Sequence, residues 1–221
     1  MGTLGEVQEA RELAVPGAFE FGPRVFPDER GLFVCPFQEA AFVEAVGHPL
    51  KVAQLNHSRS RRGTIRGLHY ADVPPGQGKY VYCSRGALLD VVADIRVGSP
   101  TFGVVDAVRL DPQEFRAVYV PEGLGHAIMA LEDDTVLSYL CTTEYDAGRE
   151  HGLDPLDPEL GLPWPSDVEP QLSPKDRAAP RLAEALAAGL LPRYEECVAH
   201  YRRLRETGCP PIRHRRTELR R

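Results

Sequence analysis

Short runs of apolar and β-branched residues alternate along the middle of the chain with glycine, proline, aspartate and serine. Five runs between Val52 and Cys141 show this pattern most clearly, at 52–56, 79–85, 88–95, 117–120 and 135–141. Runs of this length and composition, bounded by turn-forming residues, are typical of β-strands. No helical periodicity separates them, so the pattern predicts antiparallel sheets in a sandwich or jelly roll rather than a parallel sheet with crossover helices.

Elements of other kinds are predicted mainly towards the two ends of the chain. Three helices are predicted, at 38–46, 181–188 and 193–205, and one further strand is predicted at 30–37. Gly47 marks the end of the first helix, and the proline-rich segment 154–165 predicts an ordered surface loop. We therefore predict a single β domain over 1–195, followed over 196–221 by the end of a helix and a basic, disordered tail.

Charge and composition exclude some classes of function. Hydrophobic residues make up 43% of the 221 residues, enough for one sizeable core. The net charge of −6 disfavours a general nucleic-acid binder. Eight arginines and two glutamates lie in 202–221, so residues 1–201 carry −12. A solvated terminus accounts for such a basic tail better than contact with nucleic acid.

The sequence also predicts where the protein works. No apolar run approaches the roughly 20 residues that a membrane-spanning helix requires, and the first residues lack the pattern of a secretory signal. Five cysteines are scattered without C-x-x-C spacing, so neither a zinc site nor a disulfide framework is indicated. We expect a cytoplasmic protein without a membrane partner.

Three side chains that carry charge or protons lie close together in strand-like sequence. Arg66 and His69 belong to Gly63-Thr-Ile-Arg-Gly-Leu-His-Tyr, and Lys79 follows in Pro-Pro-Gly-Gln-Gly-Lys-Tyr. Holding such groups in an apolar core is costly, so a cavity that binds an anion and moves protons explains them better than packing does. A carboxylate such as Asp176 could fix the tautomer of His69, although the sequence alone does not bring the two together.

Other candidate residues leave two interpretations open. Tyr139 lies in an apolar strand, where it is either a core residue or a phenol that donates a proton opposite an imidazole. Polar residues at strand positions could form a solvated rim or bind a diphosphate and a base; these are Arg30, Gln54, Asn56 and Arg66. No Walker or G-x-G-x-x-G loop is present, so no loop motif indicates ATP or NAD.

A metal site is the main rival for the histidines. His69 is followed by Tyr-Ala-Asp without a second histidine, and His126 in Glu-Gly-Leu-Gly-His has no neighbouring ligand at strand spacing. Three protein ligands would be needed for a catalytic metal, so we predict none. A metal-dependent oxygenase of a similar β fold stays the alternative.

Several motifs in order resemble one family. Asp28-Glu-Arg-Gly-Leu-Phe, Gln54-Leu-Asn-His-Ser-Arg-Ser, the segment around His69, Asp94-Ile-Arg-Val-Gly-Ser-Pro-Thr-Phe-Gly and Val120-Pro-Glu-Gly-Leu-Gly-His are similar to those of the dTDP-4-dehydrorhamnose 3,5-epimerases. The resemblance spans about residues 10 to 195. It implies a mainly β cupin jelly roll with short C-terminal helices, acting as a homodimer without cofactor on a dTDP-4-keto-6-deoxyhexose in deoxysugar or antibiotic biosynthesis.

The resemblance also implies a role for individual residues. His69 would be the base with Asp176 as its partner, Tyr139 the acid on the opposite face, and Lys79 the group beside the C4 keto oxygen. The residues implied to bind substrate, some across the dimer, are Arg30, Gln54, Asn56, Arg66, His126 and Tyr145. Inversion at C3, C5 or both is implied, and a same-fold ketoisomerase or a non-catalytic binding cupin are the alternatives. Val34-Cys35 stands where the family has a glutamate, which leaves open which carbon is inverted.

Overall fold

The computed structural model describes residues 9–208, which form two antiparallel sheets stacked face to face and a separate hairpin. The strands are β1 Glu9–Glu12, β2 Phe19–Gly22, β3 Val25–Asp28, β4 Gly31–Val34, β5 Gln54–Ser60, β6 Ile65–Ala71, β7 Lys79–Arg85, β8 Leu88–Ala93, β9 Val105–Leu110, β10 Ala117–Val120, β11 Gly125–Ala130, β12 Thr135–Cys141 and β13 Glu150–Gly152. The helices are α1 Glu39–Val46, α2 Pro174–Arg177, α3 Leu182–Ala187 and α4 Tyr194–Thr207.

The two sheets have the topology of a jelly roll. One sheet has the strand order β1-β2-β10-β7-β12-β5, and the other has the order β13-β6-β11-β8-β9. Strands that are distant in sequence are neighbours in space, so the chain crosses repeatedly between the sheets. The predicted fold class, a mainly β cupin-type jelly roll of antiparallel strands, is confirmed.

The bounds of the predicted strands agree with the structure to different degrees. β7, β10 and β12 have the predicted bounds, whereas β5 starts two residues later than expected and continues to Ser60. The strand predicted over 30–37 is shorter, because only Gly31–Val34 pairs, with β3. Within 154–165 the structure has neither helix nor strand, as predicted.

The helix predictions are confirmed to within about two residues at each end. Gln38 is the N-cap of α1, and Gly47 ends that helix in the left-handed conformation with φ of +89°. The single turn of α2 was not predicted, since four residues have no readable periodicity. The predicted boundary at 195 falls inside α4, so the division into domains stays a prediction. Most of the predicted basic tail lies outside the described residues.

Apolar side chains fill one end of the space between the sheets and leave the other end polar. The main inner cluster includes Val81, Leu88, Val92, Ile128 and Leu137, all buried. On the outer face of the larger sheet α1 adds an aromatic cluster, and on the outer face of the smaller sheet α3 and the 154–165 loop add another. Both sheets are therefore covered outside, and the remaining opening between them is the polar end.

The last helix is tied to the sheets through a buried ion pair. Arg96 is 1% exposed and forms two hydrogen bonds of 2.8 Å to the carboxylate of Asp94. Ser99 and Thr101 donate further hydrogen bonds to Asp94, and the Arg96 guanidinium lies over the ring of Tyr194 in α4. Among residues 9–208, no helix is long and apolar enough to cross a membrane.

Candidate active site

A close approach between β6 and β11 sets the position of His69. The φ of Gly67 is +125°, and a Cβ at Gly67 would lie 2.6 Å from the carbonyl oxygen of His126. Only glycine fits such a contact. The register of the two strands shifts at this point, and His69 pairs directly with His126. The two imidazoles therefore stand side by side on the smaller sheet.

His69 forms a hydrogen bond with the carboxylate that the sequence suggested. Its Nε2 lies 2.6 Å from Oδ1 of Asp176, although 107 residues separate the two in the chain. Ser173 caps α2 and donates a hydrogen bond of 2.8 Å to the other oxygen of Asp176. Burial opposes the ionisation of Asp176, but the hydrogen bonds from His69 and Ser173 outweigh it, and the pKa of Asp176 is lowered. An ionised Asp176 keeps the proton of neutral His69 on Nε2 and leaves the Nδ1 lone pair as the basic site.

Tyr139 and Lys79 come from the opposite sheet. Both side chains lie on the inner face, Tyr139 from β12 and Lys79 from the first position of β7, where it pairs with Cys141. Burial raises the pKa of Tyr139, so its phenol is protonated at neutral pH. Among residues 9–208, the side chain of Lys79 makes no hydrogen bond or ion pair, so its ammonium is available to a molecule bound in the cavity.

These side chains line one cavity of about 250 Å³. Its walls are Ser58, Arg66, His69, Lys79, His126, Ile128, Leu137, Tyr139, Ser173, Lys175 and Asp176. Six of the predicted site residues therefore meet in one place, with the imidazole and the phenol on different sheets. A larger cavity of about 600 Å³ lies between α1 and α4 and contains none of them.

His126, which lines the same cavity, belongs to a second pair of histidine and aspartate. Nε2 of His126 is 2.8 Å from Oδ2 of Asp90, which is 1% exposed. The second oxygen of Asp90 and the hydroxyl of Ser58 are buried and have no hydrogen-bond partner among the described residues. Neither Asp90 nor Ser58 was predicted from the sequence as a site residue. The one sequence feature that could have indicated Asp90 is its position as the single carboxylate inside the apolar run Leu-Leu-Asp-Val-Val-Ala.

Three residues predicted to bind substrate form a separate group at the edge of the larger sheet. Nε2 of Gln54 donates a hydrogen bond of 2.8 Å to Oδ1 of Asn56, and the backbone NH of Tyr145 donates to Oε1 of Gln54. The Tyr145 side chain is exposed, and none of the three lines the 250 Å³ cavity. They form a polar surface next to β5, which is the edge strand.

Arg30 is the predicted site residue that lies neither in the cavity nor on the polar surface next to β5. It occupies the turn between β3 and β4, where it forms an exposed ion pair of 2.5 Å with Asp28. The neighbouring Cys35 donates its thiol hydrogen to the backbone oxygen of Phe37. Neither side chain reaches the proton-carrying groups of the same chain.

The cavity histidines are paired in a way that differs from a metal site. Within residues 9–208, no three His, Cys, Asp or Glu side chains converge as metal ligands would. His69 and His126 each hydrogen-bond one carboxylate instead.

Fold and cavity together define a class: a jelly-roll protein whose interior holds an imidazole and a phenol on opposite walls, with an ammonium beside them. Residues 12–184 match the family model described as dTDP-4-dehydrorhamnose 3,5-epimerase. The chain belongs to this family, an isomerase family, and the resemblance seen in the motifs is confirmed.

Individual relatives are similar over nearly the whole chain. A dTDP-4-dehydrorhamnose 3,5-epimerase of Streptomyces griseus is 53% identical over 90% of this chain and 98% of its own. An RmlC epimerase structure from Mycobacterium tuberculosis has a TM-score of 0.87 and 47% identity, covering 89% of this chain and 100% of its own. The 3'-monoepimerase ChmJ from Streptomyces bikiniensis, solved with dTDP-quinovose, has a TM-score of 0.87 and 46% identity, covering 89% and 99%.

Proposed function

We propose that the protein is a nucleotide-sugar epimerase that inverts C3, C5 or both of a dTDP-4-keto-6-deoxyhexose by removing and returning a proton. The observation that carries this proposal is the shared cavity, in which His69 with its partner Asp176 lies on one wall and Tyr139 and Lys79 lie on the other. The substrate class follows from the relatives, which include both 3,5-epimerases and 3-epimerases of dTDP-linked 4-keto sugars.

The proposed reaction gives each of these side chains a separate role. A C–H bond next to the C4 ketone is acidified because its conjugate base is an enolate with charge on oxygen. His69 removes this proton from one face, and the ammonium of Lys79 stabilises the developing charge without reorganisation of water. Tyr139 then donates a proton to the other face, which inverts the carbon. C3 and C5 both flank the carbonyl, so one acid–base pair serves both if the sugar ring flips, and no metal or nicotinamide takes part.

Arg66 and His126 are suited to bind the sugar and the diphosphate. Nε of Arg66 donates a hydrogen bond of 3.0 Å to Ser60, which holds the guanidinium at the cavity wall. A fixed guanidinium matches phosphate oxygens. We assign the nucleotide end to the surface of Gln54, Asn56 and Tyr145, since amide side chains read the donor and acceptor edge of a pyrimidine.

Solvent deuterium exchange tests the reaction and its acid. With the 4-keto substrate in D₂O, NMR should show deuterium and inversion at C3, at C5 or at both, and the pattern gives the regiochemistry. In Tyr139→Phe we expect His69 still to exchange the proton on its own face, while inversion falls by about 10²–10⁴-fold. Tyr194→Phe, a phenol outside the cavity, is the control. Loss of exchange and inversion together in Tyr139→Phe would refute the assigned role, and a 3-keto product would identify a ketoisomerase.

We also propose that the enzyme is a homodimer in which each subunit lends Arg30 to the other. The β3–β4 hairpin pairs with no other described strand, and Leu32 and Phe33 on it are 52% and 60% exposed. β5 is an open sheet edge that carries Leu55, also exposed. An unpaired edge and an exposed apolar hairpin are surfaces that proteins normally cover. Covering them with a second copy would bring Arg30 to the partner's nucleotide surface.

Two substitutions in the hairpin separate assembly from binding. Phe33→Asp should convert the dimer to a monomer in light scattering, because it places a charge in the apolar contact. Arg30→Ala should keep the dimer but raise KM about tenfold or more, as expected for a lost charged hydrogen bond. Leu186→Asp, at an exposed position of α3, is the control and should remain dimeric. A dimer that persists in Phe33→Asp would contradict the assigned interface.

The cytoplasm is the proposed compartment. The four cysteines within residues 9–208 are free thiols, and three of them are buried. Free thiols are expected where the surroundings are reducing.

A further inference from the structure

One buried carboxyl group has no place in the chemistry described so far. Glu122 lies two residues after the end of β10 and is 2% exposed, yet it does not line the 250 Å³ cavity. Among the described residues its Oε2 makes no hydrogen bond of normal geometry, and the phenol of Tyr119 lies beside the carboxyl group. Burial raises the pKa of Glu122. Burying a carboxyl group costs free energy, so its presence here calls for an explanation, and the contacts of Glu122 supply one.

Glu122 lies against the glycine-rich segment that leads into β7. A Cβ at Gly76 would be 2.5 Å from Cβ of Glu122, and a Cβ at Gly78 would be 2.8 Å from its Oε1. Both glycines are therefore needed for the segment to rest on this side chain. Gly78 is the residue immediately before Lys79, so Glu122 contacts the backbone directly next to the residue that carries the proposed catalytic ammonium.

Thr142 links the carboxyl group to the backbone of the same segment. Its hydroxyl donates a hydrogen bond of 3.1 Å to Oε1 of Glu122 and accepts one of 2.8 Å from the backbone NH of Gly78. The backbone NH of Thr142 in turn donates to the carbonyl of Gly78. The direction in which a hydroxyl donates its hydrogen decides where its lone pairs point. By accepting that hydrogen, Glu122 therefore orients the Thr142 oxygen that accepts from the backbone NH of Gly78.

We propose that Glu122 is a positioning residue that holds the start of β7, through Thr142 and Gly78, so that the Lys79 ammonium meets the developing enolate oxygen. This proposal rests on the role assigned to Lys79 under the proposed function. A displacement of about 1 Å at a reacting group costs on the order of 10²-fold in rate, so a side chain outside the cavity can matter this much.

Substitutions at Glu122 separate hydrogen bonding from packing. Glu122→Met removes the acceptor while keeping the length of the side chain, and it should lower kcat on the order of 10²-fold with little change in KM, because the loss falls in the transition state. Glu122→Gln keeps an acceptor oxygen and should restore most of kcat. Thr142→Val should reproduce the loss, and Thr142→Ser should restore it. If Glu122→Met does not fold, the Thr142 pair carries the test alone.

A double substitution shows whether the effect passes through Lys79. In a Lys79→Met background, Glu122→Met should lower the rate no further, since the group that it positions is already gone. A purely structural role predicts a further loss, and that result would overturn the proposal. So would wild-type kcat in folded Glu122→Met.

Two further variants distinguish the positioning role of Glu122 from general destabilisation and from a failure of the role proposed for Lys79. Tyr201→Phe removes the hydrogen bond from the Tyr201 hydroxyl to the backbone oxygen of Glu122 and leaves the carboxyl group in place. It should lower Tm without lowering kcat; an equal loss of kcat would point to general destabilisation and against positioning. If Lys79→Met alone keeps full activity, the proposed function of Lys79 fails. If Lys79→Met is inactive and Glu122→Met is not, only the positioning role fails.

Discussion

Replacing His69 by asparagine is expected to lower turnover by about 10²–10⁴-fold and to abolish solvent deuterium exchange at every carbon that the wild type exchanges. Asparagine can still hydrogen-bond Asp176, so the cavity should keep its shape, but the amide is not a base at neutral pH. Because proton removal precedes every later step, exchange and inversion should disappear together. This distinguishes the base from Tyr139, whose loss should spare exchange.

A matched control is available one strand away. His151 in β13 also hydrogen-bonds a carboxylate, with Nε2 2.8 Å from Oδ1 of Asp72, but it lies outside the cavity. His151→Asn removes the same type of pair from the same sheet and should leave turnover and exchange unchanged. Activity of His69→Asn close to the wild type would remove the imidazole from the reaction and with it the proposed mechanism.

The second large effect is expected for Lys79→Met. Methionine keeps most of the apolar stem and removes the charge, so the enolate oxygen loses its stabilising cation and turnover should fall by about 10²–10³-fold. Exchange and inversion should slow equally, because both depend on the enolate. Binding of dTDP, measured by calorimetry, should be nearly unchanged, since the proposed contact is to the sugar rather than the nucleotide.

Lys51→Met is the control for the charge itself. Lys51 is exposed and lies outside the cavity, so its loss changes the net charge by the same amount without touching the site. Unequal slowing of exchange and inversion in Lys79→Met would show that the ammonium acts on one proton transfer and not on their common intermediate.

Much of the fold could be predicted because local sequence decides it. Turn-forming residues flank three strands, with Gly86 after β7, Pro121 after β10 and Asp134 before β12, and the apolar and β-branched composition of these segments fits strands. β11 is harder, since only Ile128 among its six residues is β-branched and, with all six buried, no alternation marks its faces. β1 is harder still, because its four residues are exposed and only its pairing with β2 makes it a strand.

The residues of the candidate site also differ in how far the sequence could predict them. Residues in short motifs, such as Arg66 and His69, could be found because several polar groups stand close together in apolar sequence. Asp176 could be named as a possible partner of His69, but 107 residues separate the two, so only the fold shows that they meet. Asp90 and Glu122 were not predicted, because a single buried carboxylate looks like any other acidic residue until its neighbours in space are known.

Because Asp176 lies on α2, the proposed chemistry requires a longer part of the chain than the two sheets do. The last barrel strand, β13, ends at Gly152, so a chain cut after it would still contain every strand of both sheets and most of the proposed site. It would lack the carboxylate that orients the imidazole. The segment from 153 to 176, which looks like a surface connection, is for this reason as much a part of the proposed catalytic site as the strands that it follows.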